Sequence, residues 1–327
     1  MRRLAVLLCA CMCLPLLTGC RTQPAQADER IQVVATVFPQ YDFARAIAGE
    51  YADVTLLLSA GQEMHNYEPT PMDMADIAQC DIFLRIGGES EVWTDKLLKA
   101  IDTSHMDVVT LMEHIEVPLA EEHHHHHHHE EEAHDEDEHT AEEVCDGAHE
   151  HGEFDEHIWN SPVNAIAMVE AVCESLCDAD AAHAEIFRER ADAYIAQLRE
   201  LDEKYRTLSE ECEDPVLMIG DKFPFRYLAA EYGFHYAAAF TGCSSETEPT
   251  IGALAKLFEE AKHHGLDTVF YLEFSSTKIA DRISAVTGAE TVMLHPCHNV
   301  SKEDMQNGTT FLDLMQENYE VIKEALT

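Results

Sequence analysis

Residues 180–208 read DAAHAEIFRERADAYIAQLRELDEKYRTL. Apolar side chains recur in this stretch at alternating steps of four and three residues, and they are Phe187, Ala191, Tyr194, Leu198, Leu201, Tyr205 and Leu208. Such spacing places them on one face of an α-helix and leaves its other faces to charged side chains. A helix of this length extends for about 43 Å. We therefore predict one long helix that runs along both of the regions it connects.

Two blocks of alternating short apolar runs and amphipathic segments flank this helix. In the first block the predicted strands are Ile31–Phe38, Val54–Ser59, Asp81–Ile86 and Val108–Leu111, with helices near Tyr41–Ala48, Pro71–Cys80 and Glu91–Ile101. In the second block they are Val216–Asp221, Phe234–Phe240, Thr268–Phe274 and Thr291–His295, with helices near Pro224–Tyr232, Thr250–His264, Lys278–Thr287 and Thr309–Ala325. This alternation predicts an α/β fold of two lobes with mostly parallel sheets, joined by one long rigid helix. Ligands of such sheets bind beyond the carboxyl ends of the strands, so we expect the site in the cleft between the lobes.

The first residues have the pattern of an export signal. Arg2 and Arg3 precede an apolar run, Leu4 to Leu17, which is too short for a usual membrane-spanning helix. The run continues into Thr18 to Cys20, which completes a motif that resembles a bacterial lipobox, with Cys20 as the lipidated residue. The alternative is an ordinary signal peptide with a chance cysteine. We expect a protein that is exported and held at a membrane by its lipid, outside the cytoplasm.

These patterns divide the chain as follows. The expected parts are a lipoprotein signal peptide at 1–19, a lipid anchor and tether at 20–30, an N-terminal lobe at 31–179, a linking helix at 180–211 and a C-terminal lobe at 212–327. Within the N-terminal lobe, residues 118–154 lack apolar periodicity and have too little apolar surface to offset the entropy of ordering. We predict a disordered loop there.

This loop has an unusual composition. From Glu121 to Glu156 the chain has sixteen Asp or Glu residues, eleven His residues and no Lys or Arg. Seven of the histidines are consecutive: His123, His124, His125, His126, His127, His128 and His129. Imidazole is a common ligand for borderline transition metals and is mostly neutral near pH 7. The alternatives are a purification tag or a slippage homopolymer, but the run is internal and further histidines follow it. We expect an auxiliary metal-binding loop, with zinc as the ion. The formal net charge of −42 argues against nucleic acid as a partner.

Four motifs resemble the metal-specific solute-binding lipoproteins of ABC importers, and especially their zinc branch. They are VATVFP at 34–39, GQEMHNYEPTP at 61–71, GGESEVW at 87–93 and DEHIWNSP at 155–162. The resemblance covers nearly the whole chain beyond the export signal, and it includes the long helix and the His-rich loop. It implies that His65 and His157 are metal ligands, that zinc is the bound ion and that an ABC permease is the partner.

The second lobe departs from the family pattern at the other two ligands. The family has a His followed by Asp at the end of the lobe's first strand, where residues 219–221 read IGD and leave only Asp221. After the last strand the family often has Leu-Asp-Pro, whereas residues 294–296 read LHP and introduce His295. We expect His295 and Asp221 to complete the set, with Glu273 supporting it by hydrogen bonding. His298 and Cys297 are rivals of His295, and Asp221 could instead form a structural ion pair.

The cysteines suggest one further feature. Cys243 and Cys297 both follow strands of the second lobe on the cleft side, and an exported protein meets an oxidising compartment. They are the best candidates for a disulfide, which would fix the loop that carries His295. The alternative is that Cys297 is itself a zinc ligand. The sequence has no CxxC pair, so a thiolate zinc ribbon is disfavoured.

These observations favour extracytoplasmic capture of zinc by a monomer that delivers the ion to an ABC permease. Three imidazoles and one carboxylate suit zinc, whereas manganese would be expected to have more oxygen ligands. A zinc-dependent hydrolase is one alternative, but the chain has neither HExxH nor GxSxG. A surface metal buffer or adhesin is the other. We expect no catalytic residues.

Overall fold

The computed structural model describes residues 30–120, 154–240 and 248–327. The export signal and Cys20, the consecutive histidines and Cys243 therefore lie outside the described residues. Residues Ile31–Thr327 form one compact unit. In the described part of the chain, no helix is both long and apolar enough to cross a membrane.

The N-terminal lobe contains a parallel four-stranded sheet. Its strands are β1 (Ile31–Ala35), β2 (Ala52–Leu56), β3 (Ile82–Arg85) and β4 (Asp107–Thr110), in the spatial order β2-β1-β3-β4. The helices are α1 (Phe38–Ala48), α2 (Pro71–Ile77), α3 (Val92–Leu98) and α4 (Pro162–Ala179). Pro39, Pro71 and Pro162 each lie in the first turn of a helix, where the missing N–H has no intrahelical partner to lose.

The C-terminal lobe follows the same plan. Its helix α5 (Ala184–Glu211) comes first in sequence, and its strands are β5 (Val216–Ile219), β6 (His235–Ala238), β7 (Thr268–Leu272) and β8 (Glu290–Leu294). All pairs are parallel, and the spatial order is β6-β5-β7-β8. The remaining helices are α6 (Arg226–Tyr232), α7 (Ile251–His264), α8 (Lys278–Thr287), α9 (Lys302–Asn307) and α10 (Phe311–Leu326). The predicted fold class is confirmed, and each predicted strand is present. Every strand ends earlier than predicted, and β2, β4 and β8 also begin one or two residues earlier than predicted.

Helix α5 is the predicted long helix, and every member of its apolar stripe is buried. It packs against α1 and α4 on one side of the molecule and against α6 and α10 on the other. It begins at Ala184 and not at residue 180, because Asp180 ends α4 and its carboxylate binds the backbone N–H of Ala182 and the ring of His183. These bonds form a turn between the two helices.

A single hydrophobic cluster extends from one lobe through α5 to the other. At its centre the ring of Phe43 meets Tyr194 of α5 and Phe311 of α10 edge to face, with centroids 5.5 and 5.1 Å away. Beside these rings Asp42 accepts a hydrogen bond from the Tyr194 hydroxyl at 2.8 Å and one from the backbone N–H of Phe311 at 3.1 Å. The two lobes and the long helix are therefore fastened by shared packing.

Candidate metal centre

His65 lies in a short 3₁₀ helix, Met64–Asn66, beyond the carboxyl end of β2. Met64 is buried and anchors this turn in the core. The Nδ1 atom of His65 is 2.6 Å from Glu63 Oε1, and its Nε2 atom is 3.3 Å from Glu156 Oε1. A carboxylate on one ring nitrogen fixes the ring's orientation and leaves the other nitrogen as the metal-binding atom.

His157 comes just before a second 3₁₀ helix, Ile158–Asn160, and its side chain is 2% exposed. Asp155 Oδ1 lies 2.9 Å from both the backbone nitrogen and Nδ1 of His157. Burial raises the pKa of Asp155, but the charge and hydrogen bonds of His157 outweigh that effect and leave it below its ordinary value. Asp155 thus orients His157 as Glu63 orients His65.

The rings of His65 and His157, here called the histidine pair, have centroids 5.4 Å apart. Two imidazoles bound to one tetrahedral zinc ion at the usual bond lengths have centroids about 5 Å apart. The structure therefore brings the two motif histidines to a separation that suits a shared ion.

His298 is the third histidine at this place. It is 2% exposed, and its Nε2 atom is buried without a hydrogen-bond partner among the described residues. Burial lowers the pKa of His298 to about 4; Glu63 opposes this effect, and the charges of His65 and His157 add to it. The ring is neutral at physiological pH, which is the protonation state that metals require.

Glu63 lies between two of these histidines. Besides its bond to His65, its Oε2 atom is 3.7 Å from Nε2 of His298. Burial raises the pKa of Glu63, but the hydrogen bond from His65 and the charges of both histidines outweigh it and lower the pKa to about 2. Glu63 is consequently an anion that faces two imidazoles.

The loop that carries His298 is fastened to the N-terminal lobe, although it follows β8 in the other lobe. The backbone N–H of Phe38 donates to the carbonyl of His298 at 2.9 Å, and that of Gly61 donates to the carbonyl of Val300 at 2.8 Å. The side-chain amide of Asn299 donates to two carbonyl oxygens in the loop after β2. These bonds place His298 next to the histidine pair.

His295, the predicted third nitrogen ligand, faces elsewhere. Its Nδ1 atom is 2.7 Å from Glu273 Oε2, and its Nε2 atom is 3.4 Å from Glu317 Oε2. Cys297 has a left-handed backbone conformation with φ of 60°, so the chain turns between His295 and His298. The hydrogen bond from His295 to Glu273 lies within the C-terminal lobe, and a supporting role of Glu273 at a metal site stays a prediction.

Asp221, the predicted oxygen ligand, also bonds within the C-terminal lobe. Its carboxylate accepts hydrogen bonds from the backbone N–H groups of Lys222 at 2.8 Å and Leu272 at 3.4 Å. Burial raises its pKa above the ordinary value. Arg226 lies 3.7 Å from Asp155, so the structural ion pair in this region belongs to Asp155. The contacts of Asp221 tie the ends of β5 and β7 together.

Cys297 is a fully buried free thiol in the structure. Its sulfur lies 3.3 Å from the carbonyl oxygen of His295 and 3.8 Å from the sulfur of Met315. Burial raises the pKa of the thiol well above its ordinary value, which disfavours the thiolate that binds zinc. Its predicted disulfide partner, Cys243, lies outside the described residues, so that pairing stays a prediction.

Within the three described ranges, no group of three or more His, Cys, Asp or Glu side chains is already arranged to hold a metal ion. The donor atoms of a tetrahedral zinc site lie about 3.3 Å apart. Nε2 of His65 is 3.3 Å from Glu156 Oε1, and Nε2 of His298 is 3.7 Å from Glu63 Oε2. Both separations are close to that value. Binding therefore requires side-chain rotations that converge the nitrogens.

Sequence reasoning missed the two glutamates that face these histidines. Glu63 comes two residues before His65, and Glu156 comes directly before His157. An acidic residue next to each motif histidine was the available signal. Spacing alone does not tell which carboxylate turns toward an imidazole.

The chain resembles proteins that have been named and solved. A family model described as zinc-uptake complex component A, periplasmic (ZnuA), matches residues 33–325. The zinc-binding lipoprotein AdcA of Streptococcus pneumoniae R6 is 31% identical over an alignment of 331 positions, which covers 99% of this chain and 61% of that protein. The high-affinity zinc uptake system protein ZnuA of Bacillus subtilis 168 is 31% identical over 320 residues, which cover 97% and 95%. The chain thus spans about three fifths of the first relative and nearly all of the second.

Two solved structures match the fold over 91% of this chain and 99% of theirs. The Zn(II)-bound ZnuA-like domain of Streptococcus pneumoniae AdcA is 28% identical with a TM-score of 0.71. The metal-dependent lipoprotein YcdH of Bacillus subtilis is 29% identical with a TM-score of 0.72. On the match of the family model over residues 33–325, the chain belongs to the family of zinc-uptake complex component A.

Proposed function

We propose that this protein captures zinc outside the cytoplasm and delivers it to an ABC permease for import. The single observation that carries the proposal is the meeting of three imidazoles, His65, His157 and His298, where the two lobes join. Zinc is the cargo of this site. The relatives named as zinc-binding and zinc-uptake proteins agree with it.

A site dominated by nitrogen favours zinc over manganese. Neutral imidazole suits Zn²⁺, whereas Mn²⁺ prefers carboxylate, carbonyl and water oxygens. His298 is held neutral by burial, and Asp155 and Glu63 orient the histidine pair. This combination provides three nitrogen donors, two of them on rings oriented by carboxylates.

We propose that His298 is the third nitrogen ligand, the role that the sequence suggested for His295. Nδ1 of His295 bonds Glu273 at 2.7 Å, and the carboxylate nearest its Nε2 atom is that of the exposed Glu317 at 3.4 Å. Both contacts lie within the C-terminal lobe. The contacts of Asp221 are with backbone groups of its own lobe. Both residues then serve to hold the C-terminal lobe together, and the metal is bound by other donors.

The remaining parts of the proposal rest on sequence patterns outside the described residues. A lipid on Cys20 would hold the protein at the membrane as a monomer beside its permease. The histidines of residues 123–129 would bind additional ions weakly, because consecutive histidines provide many imidazoles but match no ligand motif of the family. Catalysis is not part of the proposal, since the family is a solute-binding component of a transporter.

The test is a competition titration of the purified mature protein with zinc and a series of chelators. We expect one tight site, which His65→Ala and His157→Ala each abolish. The matched control is His264→Ala, since His264 is a histidine of α7 that pairs with Asp214 and Glu260 on the surface. A wild-type protein with only weak sites, or a tight site that survives both substitutions, would refute the proposal.

A further inference from the structure

We infer that Glu156 is the carboxylate ligand of the ion that the histidine pair and His298 bind. The inference rests on the proposed function, because it concerns the same site. It assigns the oxygen donor to the residue directly before His157, and not to Asp221.

The first argument is the place of the Glu156 carboxylate. Its Oε1 atom is 3.3 Å from Nε2 of His65, and Nδ1 of that ring is engaged with Glu63. Nε2 is therefore the nitrogen that can bind a metal. Two donors on a tetrahedral zinc ion with bonds of about 2.0–2.1 Å are about 3.3 Å apart. Oε1 of Glu156 thus lies at the distance expected for a neighbouring ligand.

The second argument is that the other carboxylate oxygen is already fixed. Oε2 of Glu156 accepts a hydrogen bond from the backbone N–H of Ser90 at 3.0 Å and one from its hydroxyl at 2.6 Å. One oxygen is anchored to the loop after β3, and the other points to the histidine. This is the arrangement of a monodentate ligand with an outer partner that orients it.

The third argument is burial. The side chain of Glu156 is 6% exposed, so its carboxylate has lost most of its contact with water. A buried carboxylate needs compensation by hydrogen bonds and positive charge. Ser90 supplies two hydrogen bonds, and a bound Zn²⁺ would supply the charge.

The fourth argument is the room that Gly88 leaves. A Cβ atom at Gly88 would lie 2.3 Å from both Cβ and Oε2 of Glu156. The φ of Gly88 is −85°, which any residue can adopt, so the backbone conformation does not require glycine there. What requires it is the space that the Glu156 side chain occupies.

Glu63 is the competing carboxylate, and its position suits a different role. Its Oε1 atom bonds Nδ1 of His65 at 2.6 Å, on the side of the ring away from the metal-binding nitrogen. Its Oε2 atom does approach Nε2 of His298, but at 3.7 Å it is farther from that nitrogen than Glu156 Oε1 is from Nε2 of His65, at 3.3 Å. Its side chain is 39% exposed, whereas that of Glu156 is 6% exposed. Glu63 is a positioning residue that acts through His65.

The experiment compares Glu156→Gln with Glu63→Gln in the full mature protein. Both substitutions keep the size of the side chain and remove one charge. Loss of an outer partner costs about 10–100-fold in metal affinity, so we expect Glu63→Gln in that range and Glu156→Gln beyond about 100-fold. Zinc affinity is measured by chelator competition, and the ligands of the ion are identified in a crystal structure of the zinc-loaded wild-type protein with an anomalous-scattering map at the zinc edge.

Two further variants test the anchoring. Gly88→Ala should displace Glu156 and weaken zinc binding, and Ser90→Ala should do so less, because the backbone N–H of Ser90 remains. The thermal unfolding of each zinc-free variant shows whether it is folded.

The outcomes separate the inference from the proposed function. A Glu156 oxygen within about 2.2 Å of the ion in the zinc-loaded wild-type protein, together with a larger loss of affinity in Glu156→Gln than in Glu63→Gln, would establish the inference. A Glu156 carboxylate that does not contact the ion, or a loss of affinity no larger than that of Glu63→Gln, would overturn it while leaving zinc capture intact. A wild-type protein that fails to bind zinc tightly would overturn both.

Discussion

Trp159 donates its indole N–H to the carbonyl oxygen of Pro296 at a distance of 2.9 Å. Trp159 is fully buried and lies two residues after His157, while Pro296 lies two residues before His298. This bond joins the two segments that bring these histidines together from different lobes. The position of His298 therefore depends on a hydrogen bond from Trp159.

Trp159→Phe keeps an aromatic ring and removes the hydrogen-bond donor. It leaves the Pro296 carbonyl buried without that partner, so we expect the free energy of unfolding to fall by about 1–3 kcal/mol. We also expect zinc affinity to fall about 10-fold, as for other residues that orient ligands. Urea unfolding of the zinc-free protein and chelator competition measure the two effects.

The control for Trp159→Phe is Tyr194→Phe, which removes a buried hydrogen bond to Asp42 far along the chain from the site. It should lower the free energy of unfolding without changing zinc affinity. If both variants lose stability and both keep wild-type affinity, the bond from Trp159 does not position His298.

His298→Ala and His295→Ala distinguish two histidines that are three residues apart. We expect His298→Ala to lose more than about 100-fold in zinc affinity, since removal of a ligand should cost more than removal of an outer partner. His295→Ala should lose less than about 10-fold, because its ring contacts Glu273 and Glu317. Chelator competition on both variants decides the matter. A larger loss for His295→Ala would restore it as the third nitrogen ligand.

His295 also predicts a pH dependence of stability in the zinc-free protein. Burial lowers its pKa, but Glu273 and Glu317 outweigh that effect, so the folded-state pKa lies above the unfolded value of 6.5. Protonated His295 thus stabilises the fold fully below pH 6.5, and this contribution is lost as the pH rises through the folded-state pKa. His295→Gln should therefore cost more stability near pH 5.5 than near pH 8.5, as measured by urea unfolding with a chelator present.

His298→Gln is the matched variant, and we expect it to change the pH dependence of stability in the opposite direction. The folded-state pKa of His298 is about 4, below its ordinary value of 6.5, so protonation favours the unfolded chain. Wild-type stability should fall as the pH drops from about 6.5 to about 4, and His298→Gln should reduce that fall. Parallel pH profiles for wild type and both variants would contradict the contacts described for these rings.

Deletion of residues 121–150 tests the His-rich segment. We expect tight zinc binding to persist, because the three proposed nitrogen ligands lie elsewhere in the chain. The weak sites should disappear, because the deletion leaves only His151 of the eleven histidines in this region. Ala120 and Phe154 are paired in an antiparallel bridge, so a short Gly/Ser linker can rejoin the ends. If titration finds no tight site after the deletion, the segment holds a primary ligand.

The helix and strand pattern was predictable because it depends on local periodicity. The stripe of α5 follows from apolar residues at steps of four and three, and all seven are buried. The end of a strand is harder to predict, because it depends on the partner strand. Thr268–Phe274 was predicted as a strand, but the ladder with β8 ends at Leu272, and Phe274 has a left-handed φ of 64°.

The site was predictable only where a motif fixed the residue. His65 and His157 stand in motifs and lie together in the structure. His295 and His298 are close in sequence, and a turn at Cys297 decides which of them faces the pair. That turn is held by bonds to the other lobe, at Phe38 and Gly61, which no local pattern reveals.

The fastening of residues 298–300 to the loop after β2 bears on how an ion is set free. A binding protein whose lobes separate can release its ion when the cleft opens. Here the segment that carries His298 is hydrogen-bonded to the N-terminal lobe, which carries the histidine pair. Unaided escape then requires several hydrogen bonds to break together, so we expect slow dissociation from the isolated protein. A partner that detaches residues 298–300 from the N-terminal lobe would shorten the residence time of the ion. Stopped-flow zinc transfer with and without the proposed permease would measure the difference.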